Sequence, residues 1–135
     1  MTIRYLLDTN IVILALRKRP EIVRRRFSGA TGSLAVSVVT VAELAYGAEK
    51  SAHPDRNSRA TAEFLGMLDI VPLDATAAEH AGRIRAELAS VGSPIGAYDT
   101  LIAGHARSRG LIVVTNTTRE FSRVKGLLVE DWSVA

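Results

Sequence analysis

Apolar and polar positions along the chain follow two different rhythms. Three short runs, Tyr5–Leu7, Leu34–Ser37 and Leu111–Val114, are apolar or small without alternation, which suits strands buried on both faces. Ile70–Leu73 is a fourth run of this kind. Between them the apolar positions recur at helical spacing. Helices are predicted from Asn10 to Lys18, stopped near Pro20, and from Glu21 to Phe27, with a loop over Gly29 to Ser33. A further helix runs from Thr40 to about Ser51, and another from Arg56 to Met67 after a break at His53-Pro54-Asp55. Ala75 to Val91 forms the longest helix, with Ala77, Ala81, Ile84 and Leu88 spaced by four, three and four on its apolar side. Gly92 to Gly96 is a loop, and a last helix over Tyr98 to Arg109 closes at Gly110.

Strands that alternate with helices need crossover connections. The pattern therefore predicts an α/β chain: a central, mostly parallel sheet flanked by helices in three layers. The 135 residues fit one domain, taken as residues 1–135. In such sheets the active crevice lies beyond the carboxyl ends of the strands, and that rule selects the residues to inspect.

Composition narrows the chemistry. At 47% hydrophobic residues the chain has enough core to fold without staples. It has no cysteine, which excludes disulfides and thiolate metal sites and suits a reducing cytoplasm. No basic segment precedes a signal-length apolar run, so no export signal is expected. No apolar stretch reaches the roughly 18 residues of a membrane span, so no membrane partner is expected either. The net charge is +3, with arginine outnumbering lysine 14 to 3. Arginine's planar fork suits phosphates and stacks on bases, which points toward nucleic acid, although GC-rich coding gives the same bias.

Three carboxylates fall where the crevice should be. Asp8 follows the first strand, Glu43 lies about a turn into the helix of "SVVTVAELAYGAEK", and Asp99 opens the helix of "PIGAYDTLIAGHA". Each has a local explanation. Asp8 is a good N-cap, Thr40-x-x-Glu43 matches a capping box, and Asp99 suits the dipole of a first helical turn. Jointly they say more. Carboxylates gathered at one end of a sheet cannot all ionise without a raised pKa or a bound cation. An all-oxygen set suits Mg²⁺ or Mn²⁺, and the scattered His53, His80 and His105 give no zinc spacing. Acids with a divalent cation suit phosphodiester hydrolysis.

"LLDTNIVI", "SVVTVAELAYGAEK", "GSPIGAYDTLIAGHARSRGLIVVTN" and "TREFSRVKGLLVEDW" together resemble the PIN-domain ribonucleases of the VapC toxin family, in order and spacing over nearly the whole chain. The resemblance implies a PIN-like fold with Asp8, Glu43 and Asp99 as the catalytic and metal-binding acids. It implies that Thr9 and Asn10 orient Asp8 or a bound water by hydrogen bonding. Near the fourth family position the chain departs from the pattern. In "VTNTTREF" Thr115 and Phe121 fit the family pattern, but Thr117 stands where the family carries Asn or Asp, with Asn116 beside it and Glu120 as the later acid. A hydroxyl is a poor Mg²⁺ ligand, so Asn116, Thr117 and Glu120 are read as supporting residues. The family further implies cleavage of RNA, commonly tRNA near its anticodon, with the initiator tRNA branch the most similar. It also implies a VapB-type antitoxin, a homodimer, and a larger toxin–antitoxin assembly.

With a nuclease in view, "RKRPEIVRRR", six basic residues in ten, reads as an RNA-backbone contact centred on Arg24, Arg25 and Arg26. The alternative is a solvated helix face. Arg107, Arg109, Arg119 and Arg123 are lesser candidates. Two other function classes compete. A phosphoacceptor signalling domain would need a lysine directly after the Leu111–Val114 strand, and Lys18, Lys50 and Lys125 are not there. A non-catalytic RNA-binding module would not need an intact acidic set. A DNA flap-type nuclease shares the acid logic but needs clamping elements for which this chain is too short.

Overall fold

The computed structural model describes residues 2–135. In chain order the elements are β1 (Tyr5–Leu7), α1 (Thr9–Arg17), α2 (Glu21–Gly29), β2 (Leu34–Ser37), α3 (Val38–Glu49), α4 (Pro54–Leu65), β3 (Asp69–Val71), α5 (Ala75–Ser90), α6 (Ala97–Arg109), β4 (Ile112–Thr115), α7 (Thr118–Phe121) and β5 (Leu128–Asp131). The strands make one sheet in the order β3-β2-β1-β4-β5, with every neighbouring pair parallel. Leu7 is level with Val36 on one side and Val114 on the other. The chain winds outward from β1 to β3, then returns to the other side of β1 for β4 and β5. That reversal opens a crevice above the carboxyl ends of β1 and β4.

Both faces of the sheet are covered, as the unalternating strands require. Leu6, Ala35 and Val113 pack with Ile84 and Leu88 of α5 and with Ile102, Ala103 and Ala106 of α6. Leu7, Val36 and Val114 pack on the opposite side with Ile11 and Val12 of α1, Val23 of α2, Leu44 and Trp132. Each fully buried Leu or Ile stabilises the fold by roughly 1.5–3 kcal/mol. The residues that α5 buries are Ala77, Ala81, Ile84 and Leu88, the four its spacing selects. α6 crosses α5 so closely that a Cβ on Gly104 would lie 2.5 Å from the Ala81 nitrogen.

Several element boundaries move, each for a local reason. α3 begins at Val38 and not Thr40, because Ser37 at the end of β2 already caps it: its Oγ accepts from Val39 N at 3.1 Å. The capping box read at Thr40 and Glu43 is therefore not formed, and Thr40 is a fully buried residue inside the helix. α4 begins at Pro54, whose missing N–H costs nothing in a first turn, so the break falls just before it. The edge strand is Asp69–Val71 and not Ile70–Leu73. The sequence reading assigned no element after Val114, yet α7 and β5 follow. A four-residue helix has no periodicity to read, and β5 is half-exposed with two acids at its end. Among the described residues, no helix is long and apolar enough to cross a membrane.

Candidate active site

Asp8 extends the β1 ladder by one step, donating its backbone N–H to the Val114 carbonyl at 2.9 Å, and the chain then turns into α1. One carboxylate oxygen, Oδ1, accepts from Ile11 N at 2.8 Å and caps that helix. The other, Oδ2, accepts from Thr115 Oγ1 at 2.7 Å. Asp8 is only 1% exposed. Burial raises its pKa from 3.8 to about 6, and the charge of Glu43 adds to the rise. The amides of Ile11 and Asn10 and the Thr115 hydroxyl oppose it. The aspartate at the strand–helix junction is thus both a cap and a buried acid. A carboxylate has about four lone-pair sites, so two hydrogen bonds leave it acceptor capacity.

Glu43 enters from α3, held by the opening residue of α1. Thr9 Oγ1 donates to Glu43 Oε1 at 2.6 Å and lies 3.2 Å from Thr40 Oγ1. Thr9 therefore orients Glu43 and not Asp8, and Thr40 belongs to the same cluster. Asp99 sits half-buried in the first turn of α6. Its pKa rises from 3.8 to about 7, chiefly through burial. A hydrogen bond and the charge of Glu120 add to this, followed by the charges of Asp8 and Glu43. Asp99 thus feels the other three acids, and Asp8 feels Glu43, across the end of β1 and helices α3, α6 and α7. Among the described residues, no group of three Asp, Glu or His side chains is drawn tightly enough together to hold an ion as it stands. Glu43 is turned onto Thr9, as mutual repulsion favours.

The remaining predicted residues divide. Asn10 Nδ2 donates to Thr117 Oγ1 at 3.2 Å, so Asn10 supports the β4–α7 turn and touches Asp8 only through its backbone amide. Thr117 N in turn donates to Thr115 Oγ1 at 2.9 Å. Asn116 has a buried Oδ1 with no hydrogen-bond partner. Arg24, Arg25 and Arg26 lie on α2, away from these bonds. Arg25 pairs with Glu21 at 2.9 Å in solvent, Arg26 stacks 5.9 Å from the Trp132 ring centre, and Arg24 edges an apolar cavity lined by Phe27 and Phe64. Arg107 is tied to His80 Nδ1 and the Lys125 carbonyl, and Arg123 to the Pro94 carbonyl, so both brace loops. His105 is buried with Nδ1 2.8 Å from Ser37 Oγ, and burial with the charge of Arg109 lowers its pKa.

Sequence reasoning passed over Thr40 as a site residue and took Thr115 only as a match to the family pattern. Thr115 has a signal: a hydroxyl at the end of a β-branched run, where the crevice rule looks. Thr40 was masked by its fit to a cap.

The PIN domain family model matches residues 5–127. The chain is 53% identical to the tRNA(fMet)-specific endonuclease VapC of Shigella flexneri, over 97% of this chain and 99% of that protein. Among solved structures, that of DNA-bound VapBC from Salmonella typhimurium superposes with a TM-score of 0.95 at 48% identity, covering 97% of this chain and 99% of the other. VapBC2 from Rickettsia felis, bound to a DNA fragment from its promoter, gives 0.92 at 34% identity, covering 96% and 99%.

Proposed function

This chain belongs to the PIN-domain family, among its VapC ribonucleases, and on that footing we propose that it is the toxin of a VapBC-type pair, an endonuclease that hydrolyses tRNA. Initiator tRNA is the substrate of the reading, since the relative from Shigella flexneri is named for tRNA(fMet). The observation that carries it is the meeting of Asp8, Glu43, Asp99 and Glu120 at the sheet's reversal, where Glu43 raises the cost of ionising Asp8 and the other three raise that of ionising Asp99. Residues 1–135 act as one PIN domain. The reading includes a VapB-type antitoxin, a homodimer within a larger assembly, and a cytoplasmic setting. The antitoxin is supported by the two solved relatives above, both of which are VapBC complexes.

The residues present fit a hard divalent cation, Mg²⁺ or Mn²⁺: the donors are all oxygens and their charge is uncompensated. Asp8, Glu43 and Asp99 would hold it. Such an ion supplies Lewis acidity, acidifying water and offsetting charge on the attacked phosphate. The chain's own contribution is positioning. Thr115 and the Ile11 amide fix the Asp8 carboxylate, and Thr9 fixes that of Glu43. Without a cation, the Asp99 carboxyl has a pKa of about 7 and holds a proton near neutral pH. On binding a cation it would give up that proton and stand as a carboxylate ligand. Glu120 keeps that pKa high. Arg24, Arg25 and Arg26 contact the RNA backbone without reading sequence.

The test is cleavage of initiator tRNA by the purified chain with millimolar Mg²⁺, with mapping of the new RNA ends. Asp99→Asn should fold as the wild type does and cut at least about a hundredfold more slowly, because one of the three acids that would hold the cation is lost. A folded Asp99→Asn that cuts at the wild-type rate sinks the assignment.

A further inference from the structure

Beside the acids, on the side of Asn10, lies a cleft of about 310 Å³ between the end of α1 and the β4–α7 turn. Asn10, Arg17, Lys18, Asn116 and Thr117 supply its polar lining, and no acid lines it. We propose that this cleft binds an RNA phosphate next to the one being cut, with Arg17 and Lys18 as its cations. The proposal rests on the nuclease reading above and adds to it where the strand runs.

Three observations carry it. First, Arg17 and Lys18 are exposed, and neither makes an ion pair among the described residues, whereas Arg25 and Arg107 are paired with Glu21 and Glu87. A cation at the last turn of a helix also serves the dipole, but that role does not require two of them at the mouth of a cleft free of acids. Second, the backbone under them is fixed: the amides of Lys18 and Arg19 both donate to the Leu14 carbonyl, at 3.0 and 3.1 Å. Third, the cleft is tied to the reacting acid. Thr115 Oγ1 spends its one hydrogen on Asp8 Oδ2. Thr117 Oγ1, 3.2 Å from Thr115 Oγ1, must then be the donor between them, and Asn10 Nδ2 donates to Thr117. Asn10, Thr117 and Thr115 thus form a relay of donors ending on Asp8, which holds the cleft wall in register with the site.

An acidic centre repels a polyanion, so a strand needs cations close by to reach it. Arg17 and Lys18 provide them without touching the acids. A phosphate held there is bound equally in the ground and transition states, so its loss raises KM and leaves kcat alone.

The experiment compares Arg17→Gln/Lys18→Gln with the charge-preserving Arg17→Lys/Lys18→Arg, using an initiator tRNA transcript and Mg²⁺. Circular dichroism and melting serve as folding controls. The neutral pair should raise KM by about tenfold at low salt, keep kcat within about twofold, and cut at the same position. Affinity is measured in an Asp8→Asn background across a salt series. There the neutral pair should lower the salt slope by about 0.7, the value for one single-strand phosphate contact. The charge-preserving pair should stay near wild type in both. An unchanged KM and slope overturn the proposal, as does a charge-preserving pair that falls as far as the neutral one. A collapse of kcat at saturating RNA also overturns it. If the wild type cuts nothing, the nuclease reading fails by itself, and the salt slope still decides whether the cleft holds phosphate.

Discussion

Asp8 divides its two oxygens between two tasks, and substitution can separate them. Asparagine is as good an N-cap as aspartate, whereas alanine removes the cap at a cost of about 1 kcal/mol. Asp8→Asn and Asp8→Ala should both lose RNA cleavage, but only Asp8→Ala should show a lower urea midpoint from a frayed α1. Equal midpoints would mean that the bond from Ile11 N adds nothing to stability. The charge crowding has its own signature. Asp8 and Asp99 titrate at about 6 and about 7 in the fold and near 3.8 when unfolded. Their contribution to the stability of the metal-free protein is therefore full below about pH 4. It is lost as pH rises through about 6 to 7, where the unfolded chain has released protons that the fold still holds. His105 runs the other way, because its lowered pKa removes stability as pH falls. A difference measurement isolates the acid. Without metal, Asp99→Asn should melt close to wild type near pH 4 and above it near pH 8. A variant that melts lower throughout would show that Asp99 is not crowded.

At the scale of elements, the approach of α6 to α5 sets where Asp99 stands. Gly104 permits it, since an added Cβ would meet the backbone of Ala81 and not a yielding side-chain tip. Gly104→Ala should destabilise by about 1–3 kcal/mol through overpacking, read from chemical unfolding. It should also lower kcat, because α6 carries Asp99. An unchanged kcat would show that the site tolerates movement of that helix. α5 was legible in the sequence because its buried residues keep helical spacing from Ala77 to Leu88. α7 was not, because a single turn gives no period, although the family resemblance already pointed to Glu120 on it.

Over the whole molecule, four acids from elements scattered along the chain form one negative centre, and a cation that binds only the fold should stabilise it. Millimolar Mg²⁺ should raise the melting temperature of the wild type near pH 8 and leave that of an Asp8→Asn/Asp99→Asn double variant unmoved. Excess chelator should stop RNA cleavage. Cleavage undiminished in chelator would reject a metal role and leave the acids to act by proton transfer alone.

The sequence by itself determined the types of the elements up to β4, the two-sided burial of the strands and the three acids worth inspecting. All of these are local signals, carried by periodicity and by residue type at a strand end. The tertiary structure decided the partners. Thr115 meets Asp8 across 107 residues of chain, and Thr9 reaches Glu43 across 34. Thr40 joins them because Ser37 had already capped the helix. It also decided which cations stand near the site: the arginines of α2 form the densest basic run, but Arg17 and Lys18 are the cations that open onto the cleft beside Asp8. Such pairings depend on strand order and register. Those follow from how every apolar face is buried at once, which no single stretch of sequence encodes.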